Sequence, residues 1–234
     1  MNAAGSPTTI STLPSFSSGS TWKKSPPTSR AGRSDCYAEG NWYSVGRIAC
    51  DRKTRMFGRA SMMQVLIRSA RLQLSPFKMA DAEEVFGCIT PATARFMRWE
   101  PPKSLKEYKA HRKARLQAND QSVFSFVIRR SDTMECLGIA GLDEADQPIP
   151  ELGIWLKEAA HGHGYGTEAV SAVAEWATKT LAKDSFLYPV AVENVASRRI
   201  AEKLNGEIVG TRRNSKYESV VYEICPLTRP WSGG

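Results

Sequence analysis

Between residues 151 and 169 the chain reads Glu-Leu-Gly-Ile-Trp-Leu-Lys-Glu-Ala-Ala-His-Gly-His-Gly-Tyr-Gly-Thr-Glu-Ala. A run of strand character enters a short connection, meets glycines at 162, 164 and 166, and passes directly into a helical pattern. Such a junction leaves the first main-chain N–H groups of the helix without partners and sets the positive end of its dipole behind them. Glycine lets that backbone approach an anion with no Cβ in the way. The spacing predicts a phosphate or pyrophosphate site at a helix start. It also constrains the architecture, because residues 186–192 read as the strand after the helix and close a strand-helix-strand crossover.

The flanking sequence supplies a sheet for that crossover. Residues 65–67 and 72–74 read as strands, and Asp81 opens an acidic helix start that runs through Phe86. A second helix follows Pro101-Pro102, where Ser104 can cap and Glu107 stands three residues on, as in a capping box. Residues 123–128, 137–142 and 151–156 are strand candidates separated by turn-rich segments, which predicts an antiparallel meander. The helix over 164–179 carries Val170, Val173, Ala174 and Ala177 on one face, with Trp176 also assigned to core packing. Residues 194–204 read as a further helix ended by Asn205-Gly206, and 208–211 with 219–224 as a closing hairpin. The fold class expected is α/β in the broad sense, a mixed α+β sheet with helices on its faces.

Composition limits the rest. With 234 residues, 41% hydrophobic and 24% charged, the chain allows one large domain or one domain plus a tail. Residues 1–61 are rich in Ser, Thr and Pro and lack a sustained apolar period, so they are expected to be a basic leader, disordered or not native to the product, with a transit segment as the other reading. Residues 229–234 are expected to be a flexible C-terminal tail. The net charge of +8 invites a nucleic-acid role, but residues 1–60 hold nine Lys and Arg against three acids, and the remainder holds 23 against 21. A solvated leader explains this more simply than a nucleic-acid groove. No apolar stretch approaches the roughly 20 residues of a membrane span, so a membrane partner is not expected. Five widely spaced cysteines without a CxxC pair point to reduced thiols and a cytoplasmic setting.

Three phosphate-loop types compete for the glycine segment. A Walker A loop needs GK[ST] after its spaced glycines, and none is present. A dinucleotide fingerprint needs GxGxxG tight against the strand end, whereas this loop follows a longer connection; Glu193 could imitate the ribose-binding acid, but the 41 residues after it are too few for a doubly wound sheet. The third type fits best: His161-Gly162-His163-Gly164-Tyr165-Gly166 resembles the pyrophosphate loop Q/R-x-x-G-x-G/A of the GNAT N-acetyltransferases, with His161 where Gln or Arg is usual. The longer series Glu151, Gly153, Trp155, Leu156, then Gly164 to Ala169, then Asn194, Ser197, Lys203 and Gly206 resembles the RimJ/RimL-type branch, which acetylates ribosomal-protein N-termini. Three motifs in order are far more specific than one. The likeness runs from about residue 65 to 224, and Asn205-Gly206-Glu207 stands where relatives commonly have Gly-Phe.

The resemblance implies a GNAT domain over residues 62–228, with a mostly antiparallel sheet and one parallel, splayed strand pair. It implies acetyl-CoA as acyl-donor co-substrate and an amine acceptor, a protein N-terminus or a small molecule, in a ternary complex; a homodimer is left open. Acetyl-CoA would lie in a wedge between residues 151–156 and 186–192, where Pro189, lacking an N–H, is tolerated if the strands part. The residues assigned to it are Gly153, Ile154, Trp155, His161, Gly162, His163, Gly164, Tyr165, Gly166, Thr167, Asn194 and Ser197. Acyl transfer from thioester to amine needs a neutral amine, a polarised carbonyl and a protonated leaving thiolate. N–H groups of residues 153–155 would polarise the carbonyl, Glu151 would act as general base through a water, and Ser197 would donate to the thiolate, with Asn194 on the pantetheine arm. Trp99 would line the acceptor pocket. Plainer readings exist for each: a solvent-facing strand residue for Glu151, helix capping for Asn194 and Ser197, helix-end packing for the segment holding Phe96, Arg98 and Trp99. His161 and His163 form an HxH pair, but His111 is the only other histidine and no metal is expected. A CoA-binding module without turnover is the main alternative function, with a basic nucleic-acid binder behind it.

Overall fold

One parallel strand pair organises the sheet. The computed structural model describes residues 65–118 and 120–226, so the leader, the C-terminal tail and the outermost residues of the expected domain lie outside the described residues. Strands β1 (Ile67–Arg68), β2 (Leu72–Pro76), β3 (Phe124–Arg130), β4 (Cys136–Asp143) and β5 (Glu151–Leu156) pair in succession, each antiparallel to the last. Strand β6 (Phe186–Ala191) then joins β5 in parallel. The hairpin of β7 (Glu207–Arg213) and β8 (Glu218–Ile224) completes an eight-stranded sheet of order β1-β2-β3-β4-β5-β6-β8-β7, with β8 inserted against β6 and β7 at the edge. The mixed sheet and its meander are as expected.

Among the described residues five α-helices flank it: α1 (Ala82–Gly87), α2 (Pro91–Ala94), α3 (Leu105–Gln117), α4 (Tyr165–Leu181) and α5 (Val195–Lys203). The two-residue alternation of strands sorts their side chains between the faces. Phe126, Ile128, Leu152, Phe186 and Tyr188 face α4, whose Ala169, Val170, Val173, Ala174 and Ala177 are buried against them. Val127 and Ile139 face the other way, into a cluster with Val85 of α1 and Tyr108 of α3. Each fully buried Leu or Phe contributes about 1.5–3 kcal/mol, so both layers help hold the sheet between them. Trp176 sits edge-on to Phe124 and Phe126, with ring centroids 5.1 and 5.0 Å away, as its assignment to the core implied.

Local signals fall close to where the sequence places them. Ser104 caps α3, its Oγ accepting from the Glu107 N–H at 3.2 Å. The reciprocal half of the capping box is displaced, because the Glu107 carboxylate accepts from the Lys103 N–H at 2.8 Å instead of that of Ser104. The four-residue helix α2 has no counterpart in the sequence reading; Thr90 and Thr93 close a capping box around Pro91 at its first position.

Candidate active site

Strands β5 and β6 are in register at a single pair, Glu151 opposite Leu187, and part beyond it. At this pair the Leu187 N–H donates to Pro150 O at 2.8 Å. Main-chain groups alternate sides along a strand, so on β6 the nitrogens of Leu187 and Pro189 face β5 together. Pro189 therefore places its missing N–H in the gap, where no ladder partner awaits it. On β5 the Lys157 N–H bonds Leu137 O of β4 at 2.8 Å, so odd-numbered residues turn their amides toward β4 and even-numbered ones toward the gap. Of the three N–H groups expected to polarise a carbonyl there, the one facing the gap is that of Ile154; those of Gly153 and Trp155 belong to the β4 ladder.

The loop from His161 to Gly164 runs from β5 to α4. Gly164 is the N-cap of α4 with φ +78° and ψ 0°, and Gly162 has φ +80°, left-handed conformations that a glycine adopts without strain. Asn194 caps α5 and Ser104 caps α3 with a side-chain oxygen, but α4 has no side-chain cap. Its first helical bond is Glu168 N–H to Gly164 O, 3.2 Å, which leaves the N–H groups of Tyr165, Gly166 and Thr167 ahead of it. Within 4 Å of a Cβ placed on Gly162 there is nothing, and on Gly164 only Arg71 Nη2 at 3.4 Å, so the loop presents bare backbone. These residues can hold a diphosphate. Gly166 has a different reason to be glycine: a Cβ there would stand 2.6 Å from Ile200 Cδ1, so its absence lets α5 pack on α4. The Gly166 and Thr167 residues are buried, and only their main-chain N–H groups are placed to serve a ligand. His161 Nε2 lies 3.0 Å from Leu156 O, to which it donates, and His163 packs beside Tyr165 with ring centroids 5.7 Å apart.

A carboxylate that the sequence quoted without a role holds this loop in place. Glu168, 6% exposed, accepts from the Arg71 main-chain N–H (2.7 Å) and Ser69 Oγ (2.8 Å) on Oε1, and from Arg71 Nε (2.8 Å) on Oε2. Arg71 Nη1 donates to His163 O at 3.0 Å, and its guanidinium lies 4.7 Å from the Tyr165 ring centroid. Burial alone would raise the Glu168 carboxyl, but the bonds from Ser69 and Arg71 outweigh it and hold it below the ordinary carboxylate range. A folded pKa below the unfolded value stabilises the protein above the ordinary range and loses that contribution as pH falls. Glu168→Gln is therefore expected to lower stability by about 1–2 kcal/mol at pH 7. Melting curves should show the gap from wild type closing as pH drops below about 4.3; a gap constant down to pH 3 would remove the ionised carboxylate from the account.

Glu151 is 4% exposed at the point where β5 and β6 separate. It is not a solvent-facing strand residue: Oε1 accepts from Arg98 Nη2 at 2.7 Å and Oε2 from Arg212 Nη1 at 2.5 Å. Arg98 Nη2 also lies 3.6 Å from Asp143 Oδ2, and its side chain is 59% exposed. Next along the same face comes Gly153, opposite Gly141 of β4, with nothing within 4 Å of a Cβ. Two glycines thus make a floor without side chains between Glu151 and Trp155. One rim of that floor is the segment 95–100, tied to the β7–β8 turn by Lys216 Nζ, which contacts the carbonyls of Ala94 and Trp99 at 3.4 Å each and Glu100 Oε1 at 3.2 Å. Trp99 is on this rim, 40% exposed, while its neighbour Arg98 reaches the carboxylate.

On α5 the Asn194 side chain accepts from the Ser197 N–H at 3.1 Å, so it caps the helix, as its plainer reading held. The Ser197 hydroxyl does not cap; it lies 2.8 Å from the Tyr188 hydroxyl of β6. Among the described residues no group of three His, Cys, Asp or Glu could hold a metal ion, and Cys88, Cys136 and Cys225 are free thiols. No described helix is long and apolar enough to cross a membrane.

A family model for the acetyltransferase (GNAT) domain matches residues 71–207. No curated protein sequence matches the chain. Among solved structures, a Vibrio cholerae protein provisionally assigned as a ribosomal-protein-serine acetyltransferase is 22% identical with a TM-score of 0.61, over 70% of this chain and 99% of its own. The GNAT-family acetyltransferase of Bacillus anthracis is 17% identical with a TM-score of 0.60, over 69% of this chain and 99% of its own. RimL, the ribosomal L7/L12 α-N-protein acetyltransferase, solved in complex with coenzyme A, is 17% identical with a TM-score of 0.58, over 69% of this chain and 98% of its own. At these identities the likeness is one of fold.

Proposed function

The chain belongs to the GNAT family and is an N-acetyltransferase, and from that premise we propose an acetyl-CoA-dependent enzyme of the RimJ/RimL type that passes its acetyl group directly to a primary amine in a ternary complex. One observation carries the reading: β5 and β6 separate after a single pair, beside a helix that begins without a side-chain cap. The same cleft thus offers main-chain amides to a diphosphate at one end and to an acyl carbonyl at the other. Residues 62–228 form the catalytic domain of this proposal, working in the cytoplasm, with 1–61 and 229–234 outside it.

The proposal gives the residues of the cleft the following roles. The N–H groups of Tyr165, Gly166 and Thr167, with the loop from His161 to Gly164, receive the pyrophosphate. The Ile154 N–H donates to the thioester carbonyl, where negative charge grows as the amine attacks. Gly153 leaves the floor open for the acceptor, and Trp99 with Trp155 bounds it. Asn194 contributes through the helix start it caps, next to the pantetheine arm. An acceptor ammonium takes the place of the exposed Arg98 beside Glu151 Oε1, one cation for another. Glu151 takes one of its protons through a water so that the neutral amine attacks, and the second proton, shed from nitrogen as the C–N bond forms and the C–S bond breaks, passes along the same water to solvent. Ser197 donates to the departing thiolate, and solvent restores the proton it gives up. The acceptor is a protein or peptide N-terminus, or a small primary amine.

The test is calorimetry with acetyl-CoA on the full chain, followed by thiol release against a panel of N-terminal peptides and small amines, with products identified by mass. Binding and amine-dependent thiol release are expected. Binding with no release for any amine would leave a CoA-binding module, and no binding at millimolar acetyl-CoA would end the proposal.

A further inference from the structure

Tyr188 is 2% exposed, enclosed by the apolar face that β6 turns toward α4, and among the described residues its hydroxyl has one hydrogen-bond partner, Ser197 Oγ at 2.8 Å. Ser197 is only half-buried, at the third position of α5. The two hydroxyls can share one hydrogen in either direction, and burial decides between them. If Ser197 donated, the phenol hydrogen would be left inside the core without an acceptor, an expensive arrangement. If Tyr188 donates, the hydrogen left over belongs to Ser197, which reaches the solvent side.

We propose that Tyr188 is a positioning residue for the transfer: it donates its phenol hydrogen to Ser197 Oγ and so aims the Ser197 hydrogen outward, toward the leaving sulfur. This rests on the role given to Ser197 above. Tyr188 itself touches no substrate and changes no protonation state. Burial, only partly offset by the bond with Ser197, pushes its pKa up to about 12, so the phenol stays neutral throughout the working range. The arrangement needs a long-side-chain hydroxyl rising from the strand under α5 and a short one above it, and residues 188 and 197 supply them.

Four proteins test it: wild type, Tyr188→Phe, Ser197→Ala and the double variant. Phenylalanine keeps the ring in its cavity, so Tyr188→Phe should melt within about a degree of wild type and bind acetyl-CoA unchanged, while kcat falls about tenfold without a change in KM for acetyl-CoA. Ser197→Ala should slow turnover at least as much, and the double variant no further, because the phenol acts only through the serine. Stability reads the pairing of the two hydroxyls without any amine substrate. Ser197→Ala strands the buried phenol and should lower Tm by roughly 2–4 °C, and adding Tyr188→Phe should restore it. Additive rate losses, a wild-type rate for Tyr188→Phe, or a Tm deficit that the double variant does not recover would each overturn the proposal. Normal turnover of Ser197→Ala would also overturn it, by removing Ser197 from the chemistry, while acetyl-CoA binding and amine-dependent thiol release in wild type would leave the acetyltransferase reading intact.

Discussion

Gly164→Val is expected to weaken acetyl-CoA binding by about 100-fold or more while leaving the sheet and both helix layers in place. The residue is the N-cap of α4 with φ +78°, a conformation in which a β-branched side chain is strained by about 1–2 kcal/mol. The fold can accommodate the atom, since a Cβ would meet only the Arg71 guanidinium at 3.4 Å. The damage therefore falls on the ligand. Either the loop keeps its shape and two methyl groups stand where phosphate oxygens must approach, or it relaxes to negative φ and swings the first amides of α4 out of line. Calorimetry on the folded variant, with Tm lowered by no more than a few degrees, is the measurement. An unchanged acetyl-CoA Kd would show that the diphosphate does not lie on this loop, and the functional reading would lose its anchor.

Regular periods and caps made most of the scaffold legible. Strand β5 has the bounds its apolar run suggests, and α4 and α5 begin at the glycine and asparagine that mark their starts. The parting of β5 and β6 was implied by the family resemblance, and Pro189 agrees with it, because a residue without an N–H is tolerated on a side with no ladder. What periodicity could not show is which distant residues meet. Glu151 is bound by Arg98, 53 residues earlier, and by Arg212, 61 residues later. Each of those arginines looks like ordinary surface charge in its own segment. Glu168 looks like a favourable acid in the first turn of a helix, and only the return of Arg71, 97 residues away, turns it into the anchor of the loop. Tyr188 reads as one more apolar strand residue until Ser197 is placed above its hydroxyl. The bare backbone of the loop was therefore readable from glycine spacing, while the pairings of distant side chains needed the topology.

The Glu151 pairing changes what its substitution should do. Gln keeps the shape and one acceptor oxygen but gives up the charge that two guanidiniums face and the basicity that an acceptor ammonium needs. Glu151→Gln is accordingly expected to lower kcat by about 100-fold, the lower end of what a positioned general base contributes. Acetyl-CoA affinity should be unchanged, because the loop from His161 to Gly164 and the start of α4 lie at the far end of the cleft from the β5–β6 pair. A purely structural Glu151 predicts another pattern. Its loss would release Arg98 and Arg212, loosen the 95–100 rim and the β7 edge together, and appear as a lower Tm and a higher acceptor KM with kcat largely preserved. Arg98, with its side chain 59% exposed, can turn to solvent at little cost, whereas Arg212, at 22%, has less water to receive it. Some loss of Tm is thus expected under either account, and the split between kcat and KM decides. A variant with wild-type kcat and a raised acceptor KM would make Glu151 the clasp of the acceptor rim and send the search for the base elsewhere along the glycine floor.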